Sequence, residues 1–191
     1  MMAAPVDDPL KPDSRSDQEL IAAINDGDPD AFEALYYRYR DWVVGLAHRF
    51  TGDRELALDV LQETSLYFVK KFPGFRLTAQ LRTFLYPAVR NLSIAARRKA
   101  ERFQSDANET GTIAAVITTD PLVSRDESLT AALALLSDGH REVLLLRFVD
   151  GLSLAEIAET MNIPLGTVKS RLHNALETLR NDPRTKGYFE A

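Results

Sequence analysis

Apolar residues return every three or four positions along most of this chain, and capping signals cut the pattern into short lengths. That spacing puts one apolar stripe on each of several helices and leaves no room for the alternation a strand needs. Ser16-Asp17-Gln18-Glu19 reads as a capping box, followed by Leu20, Ile21 and Ile24, with Gly27 as the stop. Asp28-Pro29 opens a second helix, where a first-turn proline loses no helical hydrogen bond. Its stripe is Phe32, Leu35, Tyr36, Tyr39, Trp42, Val43, Leu46 and Phe50, and Gly52 ends it. A third helix from about Asp53 is expected to bury Leu56, Val60, Leu61, Thr64 and Phe68 before Pro73-Gly74 breaks it. A fourth, from about Thr78 to Phe103, turns Leu81, Leu85, Ala88 and Leu92 inward and carries Pro87, where a kink is expected.

Residues 104–123 lose the periodicity and read as a linker, which places a domain boundary there. The fold expected is all-α: an acidic tail at 1–15, a helical domain at 16–103, the linker, a second helical domain at 124–182 and a tail at 183–191. The second domain opens on another capping box, Ser124-Arg125-Asp126-Glu127, followed by Leu129, Ala132, Leu133 and Leu136. Its next helix, about Gly139 to Val149, carries Val143, Leu144, Leu145 and Phe148, and Asp150-Gly151 stops it.

The chain has no cysteine, which excludes disulfide staples and thiolate chemistry. No apolar run is long enough to span a membrane, and the first residues lack a basic-then-apolar leader, so a cytoplasmic protein without membrane insertion is expected. No nucleophile–base pair, phosphate loop or metal-ligand spacing stands out, so no catalysis, metal or cofactor is expected. His48 and His140 read as structural or solvent-exposed.

The net charge of −5 hides a local reversal. Between Lys70 and Phe103 nine basic side chains face only Glu101, while the flanking stretches are acidic. A basic block between acidic flanks fits either a polyanion-binding surface or a solvated helix face.

Residues Ser153 to Leu179 have helix-turn-helix spacing. A short helix ends near Thr160, Met161-Asn162-Ile163 makes the turn, and a longer helix begins near Pro164. Val168, Leu172 and Leu176 point inward toward Ile157 and Ala158. Thr167, Lys169, Ser170, Arg171, His173 and Asn174 point outward, and all can contact phosphates or base edges.

The run Gly166-Thr167-Val168-Lys169-Ser170-Arg171-Leu172-His173, behind Leu152-Ser153-Leu154-Ala155-Glu156-Ile157-Ala158, resembles the DNA-binding domain of the extracytoplasmic-function (ECF) sigma factors, group IV of the primary-sigma-like family. The N-terminal domain resembles the same family through Ala31-Phe32, Leu35-Tyr36, Gly52-Asp53, Asp59, Gln62-Glu63-Thr64, Phe84-Leu85-Tyr86 and Arg90-Asn91-Leu92. The sequence departs from the family pattern at Phe84, Pro87 and Asn174.

The resemblance implies a protein that binds RNA polymerase core enzyme, directs it to promoter DNA and helps open the strands. Asp59, Gln62 and Glu63 would dock on the coiled coil of the largest polymerase subunit. Arg76, Arg90, Arg97, Arg98 and Lys99 would hold phosphates at the −10 element, where the strands open, and Phe84, Tyr86 and Asn91 would receive an unstacked base. Core packing is an equally simple reading of Phe84 and Tyr86. Thr167, Lys169, Ser170, Arg171, His173 and Asn174 would read the upstream, −35 element. An anti-sigma factor is the implied regulatory partner. Two rivals remain at this point: a sigma-like decoy that sequesters an anti-sigma factor, and a conventional helix-turn-helix regulator.

Overall fold

Local capping chemistry sets most helix ends. The computed structural model describes residues 13–107 and 127–188, and all regular structure among them is helical. The elements are α1 (Asp17–Asn25), α2 (Pro29–Thr51), α3 (Arg54–Val69), α4 (Leu81–Ala107), α5 (Glu127–Ala134), α6 (Asp138–Phe148), α7 (Leu154–Met161) and α8 (Leu165–Asn181), then a 3-10 turn at Lys186–Tyr188. Ser16 and Glu19 close the expected box on α1, and Ser153 and Glu156 close the same box on α7. Asp28 caps α2 ahead of Pro29, and Asp53 caps α3 by accepting from the Glu55 and Leu56 amides at 2.7 and 3.0 Å. Gly52 closes α2 with φ of 71°, a left-handed cap that a Cβ disfavours.

Most of the expected linker, from residue 108 on, lies outside the described residues, as do residues 1–12 and the Ser124-Arg125-Asp126 part of the second capping box. Residues 104–107, read as linker, prolong α4. Asp13 to Arg15, read as the end of a free tail, are tied to α2 instead. Arg38 donates to the Asp13 and Arg15 carbonyls at 2.8 and 2.7 Å, and Arg15 pairs with Asp28 at 3.1 Å. The C-terminal tail also begins docked, because Thr185 is buried and its hydroxyl donates to the Leu179 carbonyl.

Three apolar clusters hold the helices. One joins α1, α2, α3, the loop after α3 and the first turn of α4 around Leu20, Leu35, Phe68 and Leu81. Another joins α5, α6 and α8 around Leu133, Leu136, Leu144 and Leu179. The third crosses between the two groups. It packs Val43, Leu46, Val60, Tyr86 and Val89 of the N-terminal unit against Val143, Leu146, Leu152, Ile157 and Val168 of the C-terminal unit. The two units therefore share a core, although the sequence led to an expectation of modules held only by a tether.

That shared core explains two displaced stripes. On α4, Tyr86 and Val89 are buried beside Leu81 and Leu85, while Ala88 and Leu92 are only half-buried, because the helix is covered on a second side by the C-terminal unit. On α6, Leu146 rather than Phe148 goes inward, and Phe148 is 61% exposed.

The turn between α7 and α8 rests on Asn162, at φ 52° and ψ 48°. Asn is the side-chain-bearing residue most tolerant of that region. Asn162→Ala is expected to cost about 1–2 kcal/mol in urea unfolding while Asn162→Gly stays near wild type; equal stability of all three proteins would refute the assignment.

Candidate nucleic-acid interface

Helix α4 presents two chemically different faces, and the sequence-predicted residues sort between them by helical spacing. Phe84, Ala88 and Asn91 face a cleft of about 810 Å³ bounded by the end of α3 and the loop after it. Tyr86, Arg90 and Arg97 face the opposite way, toward α2 and the C-terminal unit.

The cleft wall is aromatic. Phe84 stacks on Tyr67 with ring centroids 6.1 Å apart and lies 4.8 Å from the Phe75 ring. Phe68 backs this wall from the core, 6.2 Å from Phe84 and 5.5 Å from Phe75. Lys71 Nζ sits 4.4 Å above the Tyr67 ring. Lys70 and Arg76 add cations at the rim, and Asn91 is exposed with its amide free to meet a base edge. Thr83 contributes a buried hydroxyl without a hydrogen-bond partner. Flat rings, an amide and surrounding cations are what an unstacked nucleotide requires. Lys70 stands out in the sequence only as the start of the basic block, and Tyr67, Phe75 and Thr83 were not singled out there. Of these three, Tyr67 left a signal, as an aromatic outside the apolar stripe of α3.

Glu159 and Thr160, at the end of α7, also line this cleft. The first helix of the helix-turn-helix thus forms part of its wall and adds a second carboxylate, after that of Glu63 on α3, to a rim that also carries Lys70 and Arg76.

Farther along α4, Arg98 and Lys99 are exposed and share a shallow groove with Arg102 and Phe103. Arg97 is half-buried, pairs with Glu101 at 3.4 Å and donates to the Phe50 carbonyl at 3.3 Å.

The other face of α4 is the seam between the units. Tyr86, read from sequence as a candidate base-stacking ring, is 1% exposed, and its hydroxyl donates to Glu142. Burial first, and then the Glu142 charge, hold its phenol well above the ordinary tyrosine range, so it stays a donor. Arg90 Nε donates to the same carboxylate at 3.0 Å. Both side chains are occupied by the second unit and neither opens onto the cleft.

Asp150 anchors the rest of the seam. Arg49 Nη2 donates to both of its carboxylate oxygens at 2.9 and 2.8 Å, and Trp42 Nε1 donates at 2.7 Å. Arg82 reaches the Asp150 carbonyl at 2.7 Å. Asp150 and Arg49 are 2% and 5% exposed, so water screens neither. The sequence reading used Asp150 only as a helix stop and did not single out Glu142.

On α3, Asp59, Gln62 and Glu63 are exposed together, opposite the buried Val60, Leu61 and Thr64. Leu58 and Leu66, at 42% and 53% exposure, flank them and give this polar face an apolar margin.

On α8, Lys169, Ser170, His173 and Asn174 are exposed and Thr167 is half-buried. Ser170 donates to the Thr167 carbonyl at 3.0 Å, and His173 lies 3.9 Å from Glu177. The Arg171 guanidinium lies across α6, where a Cβ on Gly139 would come within 3.1 Å of it. The α8 N-cap is Pro164, with no side-chain cap, so its first amides keep hydrogen-bonding capacity for an anion. Among the described residues no cluster of three or more metal-ligating side chains occurs, and no helix is long and apolar enough to cross a membrane.

Residues 35–103 match the family described as Sigma-70 region 2, and residues 132–181 match Sigma-70, region 4. The ECF RNA polymerase sigma factor SigW of Bacillus subtilis is 34% identical over 180 residues, spanning 87% of this chain and 96% of SigW. The ECF RNA polymerase sigma-E factor of Escherichia coli K12 is 29% identical over 179 residues, spanning 87% and 93% of the two chains. Among solved structures, CnrH in complex with the cytosolic domain of CnrY has the same fold, with a TM-score of 0.61, 21% identity, and coverage of 85% of this chain and 93% of that one. The sigma factor RpoE of Bartonella quintana, solved with the anti-sigma factor NepR, superposes with a TM-score of 0.60 at 24% identity, over 78% of this chain and 94% of that one.

Removing Asp150 leaves Arg49 charged and buried without its partner. Asp150→Ala is expected to weaken the docked state by about 3–5 kcal/mol, read as a larger radius of gyration in X-ray scattering and an earlier urea transition. An unchanged radius and transition would show that the seam does not depend on the pair.

Proposed function

Because this chain belongs to the ECF family of RNA polymerase sigma factors, we propose that the α3–α4 cleft receives the strand exposed as a promoter opens, while α8 reads the upstream element as intact duplex. One observation carries the reading: Phe84 and Asn91 of α4, Arg76 of the loop before it and Tyr67 of α3 line one cleft. Phe84 and Tyr67 offer stacking surface, Asn91 reads a base edge, and Arg76 and Lys70 hold the flanking phosphates. Arg98 and Lys99 extend the phosphate track along α4. A sigma factor makes and breaks no bonds. Its contribution is to bind the opened strand better than the paired one, which shifts the equilibrium toward opening.

The exposed α3 face of Asp59, Gln62 and Glu63, with its Leu58 and Leu66 margin, is the docking surface for the coiled coil of the largest polymerase subunit. On α8, Lys169, Ser170, His173 and Asn174 reach into the major groove. Arg171 joins them by swinging its guanidinium off Gly139, which allows two bonds to a guanine. Thr167 and the free amides of the α8 N-terminus meet a backbone phosphate.

The docked arrangement is the resting form. In it Arg90 and Tyr86 are tied to Glu142, and α7 narrows the cleft with Glu159. Binding to core enzyme draws the units apart and frees both faces of α4. An anti-sigma factor, the kind of partner solved with RpoE of Bartonella quintana, would hold the units in the inactive arrangement. A cytoplasmic location follows from work on chromosomal promoters.

Transcription from genomic DNA by core polymerase plus this chain, with mapped start sites, tests the proposal. Shared elements upstream of the starts are expected, and core enzyme that ignores the chain refutes it. At a promoter found this way, Asn91→Ala and Phe84→Ala are expected to lower strand opening while duplex binding through α8 persists. Arg171→Ala is expected to cost about 1–3 kcal/mol at one base pair of the upstream element and to relax the choice there. A uniform loss at every position would instead make Arg171 a phosphate contact.

A further inference from the structure

Asn25 is the last residue of α1 and lies about fifty positions from the loop it touches. Its Oδ1 accepts from the amides of Gly74 and Phe75 at 2.6 and 3.1 Å, and its Nδ2 donates to the Phe75 carbonyl at 2.9 Å. One side-chain amide thus meets three backbone groups, much as a neighbouring strand would.

The loop needs such a partner. From residue 73 to 79 its backbone takes part in no backbone–backbone hydrogen bond among the described residues, and the side chain of Asn25 bonds to it instead. Gly74 sits at φ +97°, a turn conformation with no steric support around it, since nothing lies within 4 Å of where its Cβ would be. Directly after this turn the chain delivers Phe75, Arg76, Leu77, Thr78 and Ala79 to the cleft wall. Phe75 is then braced by Phe68, Phe72 and Phe84. Ring packing fixes how deep the loop sits, and the Asn25 bonds fix where along its path Phe75 and Arg76 fall.

We infer that Asn25 is a positioning residue for recognition of the melted strand: it sets the cleft lip without touching DNA, and its loss blurs base choice there. This rests on the cleft being where the melted strand is read. Asn25 acts through the loop, so its effect belongs to the discrimination among bases and to strand opening. Binding to core enzyme and to upstream duplex runs through other surfaces and is spared.

The test uses holoenzyme assembled from core polymerase and the full chain. Promoter duplexes randomised across the melted element of a mapped promoter are offered to it, and those captured in open complexes are sequenced. Asn25→Ala is expected to lower open-complex yield about tenfold and to flatten the base preferences, with core binding and upstream duplex binding at wild-type strength. Asn25→Asp keeps an acceptor for both amides and presents no donor to the Phe75 carbonyl, so it is expected to fall between. Wild-type preferences in Asn25→Ala overturn the inference. So does a matching loss of core and duplex binding, which marks general loss of fold. Asn91→Ala, run alongside, separates the two levels. If it loses base preference while Asn25→Ala keeps it, the inference alone fails. If both keep it, the reading of the cleft fails and the inference goes with it.

Discussion

Asp150 carries a carboxylate into the seam between the two units, and a buried carboxylate persists only with a full set of donors. Its donors come from the other unit: Arg49 and Trp42 of α2 at the side chain, and Arg82 of α4 at the carbonyl. Neither half can satisfy these groups alone without water. The Glu142 contacts to Tyr86 and Arg90 repeat the arrangement one step along the seam. Apolar burial around Val143, Leu146 and Ile157 drives the halves together, and these polar contacts fix their register. A seam of this mixed kind can come apart, because its charged groups are well solvated once separated.

The same helix serves both the seam and the cleft, and this links the resting arrangement to function. Turning roughly 150° around α4, at 3.6 residues per turn, leads from Tyr86 and Arg90 to Phe84, Ala88 and Asn91. Contacts on one side hold the second unit, and contacts on the other suit an unstacked strand. The end of α7 reaches from the seam to the cleft rim, so docking and strand access are not independent. In the docked form the Arg90 guanidinium is already paired with the Glu142 carboxylate, so any phosphate it took would have to replace that anion.

Helical periodicity and caps made most of the fold legible. The boxes at Ser16 and Ser153, the Asp28-Pro29 start, Gly52 and Asn162 are local devices, and each works where the local sequence says it should. The seam was not legible. Burial of Leu146 and Tyr86, and exposure of Phe148, depend on residues more than fifty positions away, which periodicity cannot register. Asp150 looked like part of a helix stop, and its long-range role left no local mark. The candidate site was half legible. Family motifs pointed to Phe84, Asn91 and the α8 face, yet they grouped Tyr86 and Arg90 with them because adjacent numbers on a helix do not share a face. Asn25 was invisible for the opposite reason: its partners are backbone groups, which carry no sequence signature. The rival of a conventional regulator does not survive two sigma regions matched in order along the chain.

In the proposed cycle the two units rest docked and part when polymerase and promoter are engaged. With no native cysteine, a single dye pair can be placed at will, through Glu33→Cys on α2 and Glu177→Cys on α8, both exposed positions. Energy transfer between the dyes, measured in the free chain and then in holoenzyme on a promoter, reports the separation directly. High transfer in the free chain that falls on engagement is the predicted result. Transfer that is already low in the free chain, or that stays high in the promoter complex, would contradict it.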